Sequence, residues 1–390
     1  MLNASGPDRP AEKDRFNPNI HGARGAFALS VFVFHIANSG LKGVSVPCAD
    51  LIYEAAMSLA FGVELFFVIS GIVILGAFQR ARSLPGFLID RVTRIFPVLW
   101  ASVLVVYALW ILSGRTFGSG LESAVIVVAN LFALPPIVRV PLIHPAAWSL
   151  SYEFAFYLLF VAFGLLALVV PRRIALLVVF ALAVAVFWYH VRATYFIVGL
   201  AIGSGFLAHR SLRPLIRYPL FWLVVFMAAW QGVAILVGGN IHAAIWSRLA
   251  SEPLLLVLSL VALVAASLAM GGIDEGLGWT SRALRHPVMQ WLGTISFSLY
   301  LWQTPVLGVV KQAMSSTGIV TGSGEWAQIV LFLLALPPTL IVSALSQRYL
   351  EIGVTNWLRR HLIPRKHGSH HRTIGADTSL VPLPSAQEKP

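Results

Sequence analysis

The chain has 390 residues, 58% of them hydrophobic and 11% charged, with a mean hydropathy of +0.80, where ordinary soluble domains carry about 25% charged residues. That composition excludes a soluble globular enzyme and predicts an all-α polytopic integral membrane protein. The net charge of +12 does not imply a nucleic-acid partner, because the basic residues are spread over many short loops instead of forming one module. The single cysteine, Cys48, excludes an intrachain disulfide.

Residues 1–22 are polar and contain no apolar stretch of the kind a cleavable signal peptide requires, so they read as a cytoplasmic N-terminal segment. Crossing a bilayer takes about 20 apolar residues of helix. Ten candidate transmembrane helices follow, at roughly 26–41, 56–78, 95–112, 147–169, 174–189, 194–207, 218–237, 253–270, 288–310 and 327–349. The sixth is short and holds Gly199, Gly203 and Gly205, small residues that permit close helix packing. The apolar run 122–134 stops at Pro135 and Pro136 and reads as an interfacial or re-entrant helix. Residues 361–390, rich in His, Ser and Pro, read as a disordered cytoplasmic tail, which leaves any chemistry to the membrane domain, 23–360. With ten spans, 22 Lys and Arg fall on the side of the N-terminus and 6 on the other, so both termini are predicted to be cytoplasmic.

Against this apolar background three ionisable side chains stand inside predicted spans: His35, Glu64 and Glu153. Such groups are costly in a bilayer, and each calls for a function or a buried partner. On the ten-span topology all three lie at similar depth, in the outer half. Arg24 precedes His35 by eleven residues, three helical turns plus about 20°, which puts both on one face about 16 Å apart along the axis. Arg91 and Arg94, three apart before the third span, share a face that suits a polyphosphate, because guanidinium groups bind phosphate bidentately. Each also has a plainer reading: a packing histidine, carboxylates that anchor neighbouring helices, and arginines that snorkel to lipid phosphates. A proton-coupled transporter or flippase is the alternative from another functional class, with the three acid/base groups as a relay and the arginines on an anionic substrate.

Six blocks occur in order: RGAFALSVFVFH (24–35), GVELFFVISG (62–71), FLIDRVTRIFP (87–97), WSLSYEFAFYLLF (148–160), WLGTISFSLYLWQTP (291–305) and RYLE (348–351). Together they resemble the membrane-bound acyltransferase-3 family, which includes glycan O-acetyltransferases, over about residues 16–360. The resemblance implies transfer of an acyl group, usually acetyl, from a cytoplasmic acyl-CoA to a hydroxyl of a glycan or lipid-linked glycan outside a bacterial inner membrane, with no metal. It implies His35 as acid/base or acyl relay, with Glu153 and Glu64 in support. Arg24, Arg91 and Arg94 would then hold the coenzyme A phosphates, and Trp148, Ser151, Tyr300 and Gln303 would contact substrate. The chemistry suits these residue types, since a base near neutral pKa can take the proton of an attacking hydroxyl and a carboxylate can fix its tautomer. Two positions depart from the family pattern. Gln303 stands where a histidine is common and cannot act as an acid or base, and Glu64 stands where an aspartate is more usual. Trp148, Trp246 and Trp326 could stack on sugar rings, although tryptophan belts at membrane interfaces are common.

Overall fold

The computed structural model describes residues 16–41, 49–81, 83–115, 118–188, 190–206, 212–238, 248–319 and 326–362. Trp246 and nearly all of the predicted tail lie outside them. Among the described residues every regular element is helical. The α-helices are α1 (Pro18–Ala37), α2 (Ala49–Ser58), α3 (Gly62–Arg80), α4 (Leu84–Leu112), α5 (Gly120–Leu131), α6 (Trp148–Val169), α7 (Arg172–Phe187), α8 (Tyr195–Gly203), α9 (Arg213–Ile216), α10 (Pro219–Leu236), α11 (Pro253–Asp274), α12 (Gly278–Leu284), α13 (Pro287–Ser316), α14 (Ala327–Ser346) and α15 (Thr355–Leu362). A π-helix, Gln347–Val354, joins α14 to α15.

Each of the ten predicted segments falls on a helix, and seven helical stretches are long and apolar enough to cross a membrane. The other three differ for physical reasons. Helices α7 and α8 have 16 and 9 residues, short of the length a span requires. Helix α13 has 30 residues but carries Thr294, Ser296, Ser298, Gln303 and Thr304 along its length. Helix α5, with 12 residues, rises about 18 Å and cannot cross the hydrocarbon core, in line with its reading as interfacial or re-entrant.

Helix α1 begins eight residues before its predicted start because Asn17 caps it, its side chain accepting from the Asn19 and Ile20 amides at 2.9 and 3.3 Å. The Asn17 amide also donates to the Asp274 carbonyl and carboxylate, both at 2.9 Å, tying α1 to the end of α11. Close packing in the bundle relies on glycine: a Cβ added at Gly199 of α8 would lie 2.7 Å from the Gly71 Cα of α3.

Two prolines inside helices organise the centre. Pro97 in α4 has no N–H for the Thr93 carbonyl four residues back, and that carbonyl accepts instead from Thr355 Oγ1 at 2.6 Å. Pro305 in α13 frees the Leu301 carbonyl in the same way, and His144 Nε2 takes it at 2.8 Å. One freed carbonyl lies between Arg91 and Arg94, the other between Tyr300 and Gln303.

Candidate active site

A cleft with a cavity volume of about 90 Å³ lies among α1, α3, α4, α6 and α13. Arg24 of α1, Arg91 and Arg94 of α4, and Glu153 and Tyr157 of α6 line it together. The sequence-predicted arginines therefore converge, although 67 residues of chain separate Arg24 from Arg91. Glu153 joins them and not His35. Its carboxylate accepts from Ser70 Oγ of α3 at 3.0 Å and from the Tyr157 hydroxyl one turn along α6. Behind the cleft, Glu351 of the π-helix stands 3.9 Å from Arg94 Nε and accepts from Ser298 Oγ at 3.4 Å.

Three guanidinium groups against two carboxylates leave this end positive. Arg91 Nε is buried with no hydrogen-bond partner among the described residues, an orphaned donor of the kind that costs about 1–3 kcal/mol until an acceptor arrives. The rest of the wall is largely apolar, with Val63, Phe66, Ile69 and Phe297. Ser149 Oγ and Tyr300 Oη, 2.9 Å apart, also line the cleft.

The levels of these groups follow from how α1 and α13 pair. His21 Nε2 lies 3.1 Å from the Gln290 carbonyl, and Lys311 Nζ donates to the Ser39 carbonyl, so the two helices run parallel with sequence offsets of 269 and 272. Tyr300 thus sits level with residues 28–31, above Arg24, and His35 sits a further one to two turns up, about 6–10 Å. His35 does not line the cleft.

Glu64 is held elsewhere. It is fully buried and paired with Arg192, whose Nε donates to Oε1, while Oε2 has no partner among the described residues. The Arg192 guanidinium lies 4.7 Å from the Trp148 ring centroid and 5.8 Å from that of Trp230. Trp148 also stacks on His190, with centroids 5.3 Å apart. Its ring is therefore packed on the Arg192 guanidinium and the His190 imidazole. Ser151 is buried and donates to the Pro135 carbonyl, away from the cleft. Gln303 is fully buried, its Nε2 donating to the Tyr300 carbonyl at 3.2 Å and its Oε1 without a partner among the described residues. Trp326 is 56% exposed, as an interfacial belt residue would be. No group of three His, Cys, Asp or Glu side chains among the described residues is placed to hold a metal ion.

A bundle that gathers three arginines and a carboxylate from distant sequence blocks can be set beside known proteins. The family described as an acyltransferase domain, acyltransferase-3, matches residues 17–348. The chain belongs to the acyltransferase-3 family. It is 30% identical over 328 residues to the exopolysaccharide production protein ExoZ of Rhizobium meliloti (strain 1021), covering 78% of this chain and 90% of that protein. It is 24% identical over 347 residues to the acyltransferase MdmB of Streptomyces mycarofaciens, covering 78% of this chain and 88% of that protein. No solved structure matches the chain.

For this acyltransferase-3 protein, sequence reasoning missed several residues at the site. Tyr157 follows Glu153 by four positions on one helix, a spacing that puts both on the same face. Ser149, not Ser151, lines the cleft, and two residues along a helix turn the side chain through about 200°. Arg192 counts as a loop charge by position, yet it is the buried partner of Glu64. His144 lies just before a predicted span, and Pro305, which frees its acceptor, sits in a recognised block.

Proposed function

We propose that this multi-pass membrane protein transfers an acyl group, acetyl first among candidates, from a cytoplasmic acyl-CoA to a hydroxyl of a cell-envelope or exported glycan. It works in a bacterial inner membrane. The observation that carries this reading is the convergence of Arg24, Arg91 and Arg94 on one cleft, with the buried Nε of Arg91 left without an acceptor. Phosphates of the donor suit these guanidinium groups, which bind them bidentately. The pantetheine arm suits the apolar wall leading past Tyr300 toward His35. His35 takes the proton of the attacking hydroxyl, a C–O ester bond forms, the thioester C–S bond breaks and the thiol leaves with a proton. Glu153 lies with the arginines, so its role is to balance their charge and orient the donor instead of fixing the His35 tautomer. Glu64, in its closed pair with Arg192, anchors α3 instead of handling protons. The relatives ExoZ and MdmB, named as an exopolysaccharide production protein and an acyltransferase, agree with this class of reaction.

The test uses the full-length protein in detergent with radiolabelled acetyl-CoA and the host strain's surface polysaccharide, chemically de-O-acylated. Label is expected in the polysaccharide, with release of CoA. His35→Ala is expected to lower transfer by about 10²–10⁴-fold, the range for losing a general base. Full transfer by that variant would remove His35 from the reaction. Arg91→Ala combined with Arg94→Ala is expected to abolish calorimetric CoA binding, and unchanged binding would move the donor elsewhere.

A further inference from the structure

Behind the cleft, α15 and the π-helix before it hold the segment of α4 that carries Arg91 and Arg94. The Thr355 hydroxyl donates to the Thr93 carbonyl at 2.6 Å, Arg359 Nε stands 3.1 Å from Asp90 Oδ1, and Glu351 faces Arg94 Nε at 3.9 Å. Glu351, Thr355 and Arg359 follow one another at four-residue intervals, about one turn each, so they share a face. Their three partners all lie within residues 90–94 of α4. The family match ends at residue 348, before any of the three.

The middle contact replaces a missing part of the helix. Pro97 deprives α4 of the backbone bond that would close the turn at Thr93, and helices bend where an internal proline opens the ladder. The part of α4 before that gap, which carries Arg91, can swing about it unless something else holds the Thr93 carbonyl. Thr355 supplies that hold, and both residues are buried. The outer contacts bracket it. Asp90 and Arg94 are four apart on α4, the spacing of a helical ion pair, yet Asp90 is engaged by Arg359 and Arg94 by Glu351. Arg91 is left out of these contacts, its buried Nε without a hydrogen-bond partner among the described residues.

We infer that residues 351–359 form a clamp that sets α4 so that Arg91 and Arg94 meet the phosphates of the acyl donor, with Thr355 and Arg359 as positioning residues. Neither lines the cleft, so each acts through α4: Thr355 by fixing the bend at Pro97, Arg359 by keeping the Asp90 carboxylate away from Arg94. The inference rests on the donor site proposed above.

The experiment measures calorimetric CoA binding, and initial rates of transfer from radiolabelled acetyl-CoA to the de-O-acylated surface polysaccharide, with the full-length protein in detergent. Thr355→Val keeps the side chain's shape and removes its hydroxyl. It is expected to raise the CoA dissociation constant and the half-saturating acetyl-CoA concentration about tenfold, the effect of one lost buried hydrogen bond. The rate at saturating acetyl-CoA and the half-saturating polysaccharide concentration are expected to stay within about twofold, which a general packing defect would not spare. Thr355→Ser, which keeps the hydroxyl, is expected to bind CoA within about twofold of the wild type. Unchanged CoA binding by Thr355→Val, an equal rise for the polysaccharide, or a Thr355→Ser variant as weak as Thr355→Val overturns the assignment. Should Thr355→Val fail to fold, the partly exposed Asp90–Arg359 pair decides. Asp90→Lys adds positive charge near the arginines, which by charge alone would tighten binding of an anion. The clamp predicts the opposite, CoA binding about threefold weaker, the scale of an exposed ion pair, with recovery when Arg359→Glu is added. Unchanged or tighter binding by Asp90→Lys, or no recovery in the double variant, overturns the assignment equally. Absence of CoA binding by the wild type would instead defeat the donor site on which the clamp rests.

Discussion

Two carboxylates, alike in the sequence as lone acids in apolar helices, have opposite surroundings in the fold. Glu64 is sealed: fully buried, paired with Arg192, and roofed by the rings of Trp148 and Trp230 around that guanidinium. Glu153 is open: it lines a cleft with three arginines and is held by two hydroxyls, those of Ser70 and Tyr157. The first arrangement sets one charge against one charge with no exposed surface, its Oε2 buried without a partner among the described residues. The second leaves the guanidinium groups in excess and one of their donors orphaned. An intramembrane charge calls for either a partner or a function, and the two acids divide those answers between them.

That division can be broken most sharply at Glu64. Glu64→Gln leaves the Arg192 charge buried without its counter-ion, and losing one partner of a buried pair costs about 3–5 kcal/mol. A thermal unfolding scan in detergent is expected to show a large loss of stability. Replacing both partners, Glu64→Leu with Arg192→Leu, is expected to recover most of it, because an apolar pair of similar volume is often neutral. If Glu64→Gln were as stable as the wild type but unable to transfer label, Glu64 would be part of the chemistry and the contrast would collapse.

Glu153→Gln is expected to do the reverse. The cleft admits solvent and the two hydroxyls can still bond an amide, so unfolding is expected to shift little. Transfer is expected to fall by about 10–100-fold, the loss of one or two charge-assisted contacts of ~1.5–3 kcal/mol. A stability loss on the scale of the Glu64 variant would mean that Glu153 is also a structural counter-ion.

The sequence made the helical membrane class legible, because apolar length reports on each helix by itself, whereas a common site for Arg24, Arg91 and Arg94 was implied only by the family resemblance. Which acid meets which base was not legible, since that depends on packing between helices far apart in the chain. Glu64 and Arg192 are 128 residues apart, and positional counting puts Arg192 in a loop. The similar depth assigned to His35, Glu64 and Glu153 failed as a guide to contact, because Glu153 is drawn to the arginines and Glu64 to Arg192. The internal prolines were visible in their blocks, but only the fold shows that Pro97 and Pro305 free the carbonyls taken by Thr355 and His144.

Helix α3 carries both ends of the comparison, since Glu64 and Ser70 lie six residues apart on it. Ser70→Ala removes one of the two hydrogen bonds to Glu153 while leaving the Tyr157 hydroxyl and the Glu64–Arg192 pair in place. The lost bond is worth about 1.5 kcal/mol, the low end for a bond to a charged group because the Tyr157 hydroxyl still holds the carboxylate, which predicts a fall in transfer of about tenfold with no measurable shift in unfolding temperature. Combined with Tyr157→Phe, it leaves the carboxylate without either hydroxyl among the three arginines. The double variant is then expected to lose more than the sum of the single effects, because residues in one hydrogen-bond network do not act additively. Strict additivity would show that Ser70 and Tyr157 do not act through Glu153, and would leave electrostatics with the arginines as what holds it.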